Sequence, residues 1–256
     1  MKTTSTGAAA RRMSPEERDH SILDGAIALA RENGLESLTV RAVAARVGVT
    51  PALVAHYRPG MDTFVADVFG LIVTAERDEV IAAFDDTAFD DADDLRAGLL
   101  RLIETLLDAD RDDVTLIWVQ AWALGARNDA LAARVRQEMD GWQSALEQIF
   151  ARAAATGAIA AGRADTAAWL LLAMVDGMNA HSLVKWAPRD RADLARRALS
   201  AVLDSATPED FRSADSRLAD SRPEDFRSAD SRLAGSRPED FRSADSRLAD
   251  SRPEDK

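Results

Sequence analysis

Between residues 14 and 204 the apolar positions recur every three or four residues, and no stretch alternates apolar with polar as a half-buried strand does. The pattern predicts a succession of helices. The first opens at Ser14-Pro15, a capping residue followed by a proline whose missing N–H does no harm in the first turn. Glu16 and Glu17 suit the positive helix end there. Its stripe of Ile22, Leu23, Ala26, Ile27, Leu29 and Ala30 runs to Asn33-Gly34. Later helices are expected over 40–47, 51–57, 62–83, 92–108, 113–127, 129–155, 164–185 and 190–204. Gly48, Pro59-Gly60, the acidic stretch Asp85 to Asp94, the segment Gly157 to Gly162 and Pro188 separate them. The fold class is all-α.

The two ends break this rhythm. Residues 1–14 read as a flexible basic arm, because Lys2, Arg11 and Arg12 precede any acidic residue in a stretch of Thr, Ser, Gly and Ala. At the far end, PEDFRSADSRLADSR starts at Pro208, Pro223 and Pro238, with Gly235 once replacing Asp. Each unit offers one Phe and one Leu as large apolar groups, and a Pro interrupts any helix every fifteen residues, so 207–256 is expected to be a disordered tail. Between them lie a short helical domain, 15–62, and a larger helical bundle, 63–206.

Charge changes the picture because it is uneven. The 256 residues carry 32 Lys plus Arg against 44 Asp plus Glu, a net charge of -12, which excludes a uniformly basic nucleic-acid coat. Residues 1–70 balance at 8 basic and 8 acidic, whereas 71–203 hold 14 and 22, so any DNA contact must be local to the first part. Without cysteine there is no disulfide, thiolate zinc site or cysteine nucleophile, and three scattered His make no metal cluster. No apolar run reaches the ~18 residues of a membrane span, and a cytoplasmic chain is expected. The sequence also has no glycine-rich phosphate loop and no Ser-His-Asp arrangement that spacing supports, so neither an enzyme nor a cofactor or metal is expected.

The densest chemistry lies in LTVRAVAARVGVTPALVAHYRPGMDTF, Leu38 to Phe64. Thr39 can cap one short helix, whose buried stripe is Val40, Val43, Ala44 and Val47, and Gly48 allows a sharp turn. Thr50 caps the next, Pro51 takes its first position, and Val54 closes back on Val47. The pair is a helix-turn-helix. In such a motif the N-terminal residues of the second helix meet base edges, while cap hydroxyls and basic side chains hold phosphates. Pro51, Ala52 and Leu53 therefore face the bases and read thymine methyls, with Arg41, His56 or Arg58 adding polar contacts and Thr39, Thr50 and Tyr57 holding phosphates. Arg41, Arg46 and His56 have a simpler reading as solvated helix residues.

The stretch Ile22 to Val65 resembles the DNA-binding domain of TetR-type transcriptional regulators: ILDGAIALARENGLESLTVRAVAARVGV matches its first two helices and TPALVAHY its recognition helix. The resemblance implies DNA contacts at Thr39, Thr50, Pro51, Ala52, Leu53, Ala55, Tyr57 and the position of Met61. Two positions depart from the family pattern. Arg58 stands where an aromatic is usual, and Met61 where a lysine grips a phosphate. Either Arg58 replaces that grip, or binding leans on the basic arm.

In the bundle, Trp118, Trp122, Trp142 and Trp169 fall on helices that share an interior, where they either pack as ordinary core or, with Asp176, line a pocket for a small effector. The stretch WVQAWALGARNDALAARVRQEMDGWQSALEQIF and the DGM at Asp176 to Met178 look most like the choline-responsive repressors of betaine synthesis, a likeness implying a quaternary ammonium held by Trp faces and an acid. The helix 167–186 is apolar on nearly all sides and, with 191–203, is the expected homodimer surface. The functional expectation is a homodimeric, ligand-responsive repressor that leaves a palindromic DNA operator when a small molecule binds. The competing expectation is an all-α protein-interaction or small-molecule-binding module that has lost specific DNA binding.

Overall fold

The expected caps decide where the first helices begin. In a computed structural model, which describes residues 13–85, 91–157, 159, 162–186 and 191–204, α1 spans Pro15–Asn33. It starts in a reciprocal cap: the Ser14 hydroxyl accepts from the Glu17 amide at 3.1 Å, and the Ser14 amide donates to the Glu17 carboxylate at 2.7 Å. A 3₁₀ turn at Leu35–Ser37 leads to α2, Val40–Val47, and α3, Pro51–Tyr57. The chain continues through α4, Met61–Asp85; α5, Ala92–Leu106; α6, Asp112–Gly125; α7, Asp129–Ala155; α8, Ala164–Leu183; and α9, Arg191–Asp204. The described residues contain no strand.

α5 starts at the expected residue and ends two residues early. Asp91 caps α5 by accepting from the Asp93 and Asp94 amides, and a separate 3₁₀ turn at Ala109–Arg111 takes the residues expected to link α5 and α6. The end of α8 is a turn in which Lys185 has φ 58°. The basic arm, apart from its last two residues, and the repeat tail lie outside the described residues.

Two hydrophobic clusters hold the helices together. The first joins α1 to α3 with Phe64, Val68, Phe69, Ile72 and Val73 of α4, and it also recruits Val114, Ile117 and Ala121 of α6 and Leu131 and Val135 of α7. The boundary expected between 62 and 63 therefore falls inside a continuous core. The second cluster lies among the later half of α4, α5, α7, α8 and α9. α7 packs on α4, α6 and α8, and so serves both clusters.

A polar knot joins α4 to α7. Glu138, only 3% exposed, accepts from Arg77 at 2.8 Å, from Arg134 at 2.7 Å and from the Thr74 hydroxyl at 3.0 Å. Such a buried carboxylate is tolerated because its lone pairs are filled and its charge is balanced. The backbone makes room for it, since a Cβ at Gly70 would stand 2.1 Å from the Arg134 guanidinium carbon.

Candidate nucleic-acid interface and bundle cavity

The α2–α3 turn is shaped by glycine and two threonines. Gly48 has φ 74° and ψ 34°, a left-handed conformation that costs a side-chain-bearing residue about 1–2 kcal/mol, and its N–H closes α2 on the Ala44 carbonyl. The Thr39 hydroxyl accepts from the Ala42 amide at 3.1 Å and the Thr50 hydroxyl from the Leu53 amide at 3.3 Å. Val54 is fully buried in the first cluster, which fixes α3 against α2.

This anchoring leaves one face outward. Thr39, Arg41, Thr50, Pro51, Ala52, Ala55 and His56 are exposed, whereas Leu53 is half-buried. Arg41 makes no ion pair with any described residue. Tyr57 is half-buried against the first cluster and meets the His56 ring edge-on at 5.4 Å. Arg46 is engaged elsewhere: it forms a two-pronged pair with Glu32, which holds that carboxyl below the usual range.

The two positions that depart from the family pattern, Arg58 and Met61, both turn to the core. The Arg58 guanidinium turns inward, 2.9 Å from Asp19 of α1 and 5.3 Å above the Phe64 ring, so it is not held out as the replacement phosphate grip. Met61 is half-buried and packs on the first cluster. An apolar side chain there extends the core at the position where the family pattern has a lysine.

Inside the bundle, Trp118, Trp142 and Asp176 line a cavity of ≈ 60 Å³, together with Glu76, Arg111 and Met139. Trp122 borders a neighbouring space of ≈ 30 Å³. Trp169 joins neither: it is 67% exposed, because Ala168 and Leu171 rather than Trp169 point into the bundle. Burial pushes the Asp176 carboxyl up to about 6, and no described residue hydrogen-bonds it. Glu76 is raised as well, mainly by burial, and this is partly offset by Arg111 at 2.9 Å. Sequence reasoning missed Glu76, Arg111, Thr115 and Asn179. A usable signal was there in the i, i+3 pairs Thr115–Trp118 and Asp176–Asn179, each of which turns two polar or aromatic groups to one helix face.

The family model for bacterial regulatory proteins of the tetR family matches residues 22–68, and that for the C-terminal part of BetI-type transcriptional repressors matches 95–208. The chain belongs to the TetR family. It is thus a transcriptional regulator with an N-terminal helix-turn-helix and a helical C-terminal part. Solved structures share the TetR fold. A TetR-family regulator from Rhodococcus sp. is 20% identical with a TM-score of 0.60, covering 74% of this chain and 100% of its own. The fatty acid degradation regulator FadR from Bacillus halodurans is 14% identical with a TM-score of 0.58, covering 76% and 98%. Salmonella enterica GusR is 21% identical with a TM-score of 0.57, covering 75% and 97%. No curated protein matches. Among the described residues no group of His, Asp and Glu could hold a metal ion, and no helix is long and apolar enough to cross a membrane.

Proposed function

We propose that this TetR-family protein is a homodimeric repressor that leaves a palindromic operator when a small molecule enters the bundle cavity. The observation that carries the reading is that one helix, α6, serves both ends. Its Trp118 lines the cavity, while its Asp113 accepts from Arg31 of α1 at 2.9 Å and its Gln120 accepts from the Glu36 amide at 3.4 Å. A ligand that shifts α6 thereby acts on the helices that carry α3, and release is a shift between two populations. The cavity is well below the roughly 150 Å³ that admits benzene, so an effector of ordinary size must move its walls.

Dimerisation through 167–186 and 191–203 is supported by α8, which is covered on one face by its own chain and leaves Trp169 on the other. Two α3 helices would then read two half-sites. The exposed Thr39, Arg41, Thr50, Pro51, Ala52, Ala55 and His56, with Leu53 and Tyr57 behind them, form the proposed contact.

Footprinting on the DNA flanking the coding region, followed by anisotropy titration at several salt concentrations, tests this. Binding should occur with two chains per site and weaken steeply with salt. Equal affinity for every fragment and for random DNA would sink it. The half-buried Met61 and the inward Arg58 favour a second reading, a ligand-binding module without specific DNA binding. Arg41→Glu separates the two: it abolishes operator binding and cellular function in a repressor and leaves cellular function intact in such a module.

A further inference from the structure

The two spaces in the bundle are not independent. Thr115, Trp118, Asp176 and Asn179 line both the ≈ 60 Å³ cavity and the ≈ 30 Å³ one, so the two spaces adjoin at these four residues. Of the four, Trp118 is by far the largest, and it is only half-buried. It is also the one that packs against both hydrophobic clusters. Its ring meets Phe69 of α4 edge-on, with centroids 5.0 Å apart and planes at 90°, and lies tilted against Trp122 at 5.9 Å. Phe69 itself is fully buried in the first cluster.

We propose that Trp118 is a movable partition: the effector occupies both chambers at once by displacing the indole, and the displaced ring transmits occupancy to α4 through Phe69. The inference rests on the effector reading above and extends it to the shape and chemistry of the ligand. Beyond the shared residues, the larger chamber carries Leu172 and Val175 together with the Glu76–Arg111 pair, and the smaller one carries Val119 and Trp122. Where the two spaces adjoin stands the Asp176 carboxyl, unpaired among the described residues, and Thr115 lines both spaces as well. The ligand class is therefore an extended molecule with a hydrogen-bond donor at mid-length, an apolar end against Val119 and Trp122, and an apolar body at the other end that carries a polar group toward the Glu76–Arg111 pair. Close packing around Phe69 is what turns a displaced side chain into a helix shift, because a filled interior cannot absorb it locally.

Indole itself serves as the probe. Trp118→Ala joins the chambers and removes the support beneath Phe69, so it should weaken operator binding at least tenfold and speed hydrogen exchange in Phe64 to Val73 and in α3. Free indole at millimolar concentration refills the gap and should restore both readouts, while leaving the unsubstituted protein unchanged. Phe150→Ala, which opens a space of comparable size deep in the second cluster, should keep operator affinity within about twofold and show no response to indole. If the alanine variant does not fold, Trp118→Phe carries the same expectation with a smaller drop. A folded Trp118 variant that binds the operator as tightly as the parent, or a weakened one that indole fails to restore, overturns the partition. Loss of specific DNA binding by the parent protein overturns the regulator reading alone, because the exchange measurement still tests the link from Trp118 to α4.

Discussion

Arg58 at the end of α3 reaches back 2.9 Å to Asp19 of α1, with its guanidinium lying over Phe64 of α4. One side chain thereby ties the recognition helix to the two helices that support it. Arg58→Ala should cost about 1–2 kcal/mol of stability, since it removes the partly exposed pair with Asp19 and uncovers Phe64. Thermal unfolding should register the loss, and Asp19→Ala should show most of it too. Operator affinity measured well below the melting transition should fall less than it does for Arg41→Glu, because Arg41 is exposed and Arg58 is not free to reach a phosphate.

Gly48 sits in open space with a positive φ, so only its backbone conformation is at stake. Gly48→Ala should destabilise by about 1 kcal/mol and Gly48→Asn by less, since Asn tolerates that region better. Denaturant midpoints compare the two directly.

Asp176 makes stability depend on pH in a defined direction. Its carboxyl titrates near 6 in the folded chain against the ordinary 3.8, so the folded state holds the proton more tightly. Below 3.8 both states are protonated and the group costs nothing. Stability is lost as pH rises from there through 6, reaching at most about 3 kcal/mol at 1.36 kcal/mol per unit. Asp176→Asn should match the parent near pH 4 and exceed it by about 1–3 kcal/mol at pH 8. Equal stability differences at the two pH values would show that the carboxyl is not desolvated.

Glu138 is buried and pairs with both Arg77 and Arg134, whose side chains are partly exposed. Glu138→Ala should cost about 1–3 kcal/mol, because it leaves two partly exposed guanidinium groups without their shared carboxylate and empties a buried site, whereas Glu138→Gln should keep the Thr74 contact and lose less. Urea unfolding followed by far-UV dichroism measures both.

Most of the architecture was legible because helices announce their starts. Ser14, Thr39 and Thr50 cap where their spacing said they would, and Pro15 and Pro51 open the first turns. The exposed face of α3 followed from the burial of Val54, which fixes the phase of the helix. Direction around a long bundle helix was harder to read. Trp169 and Leu171 lie two residues apart on a helix apolar all round, so periodicity could not say which of them faces inward. Long-range pairs were illegible for a different reason. The meeting of Arg58 with Asp19, or of Gln120 with Glu36, depends on chain segments 39 and 84 residues apart whose approach is set by packing alone.

The first hydrophobic cluster draws on α6 and α7 as well as on the N-terminal helices. A reading head cut from this protein after Met61 or Asp62 would therefore bare the apolar backs of Ile22, Val43 and Leu35 to water. Attempts to graft its DNA specificity onto another scaffold must either carry the front half of α4 with matching partners or redesign that underside. Conversely, new specificities are most easily sought by exchanging Pro51, Ala52 and Ala55, which bear no share of that foundation.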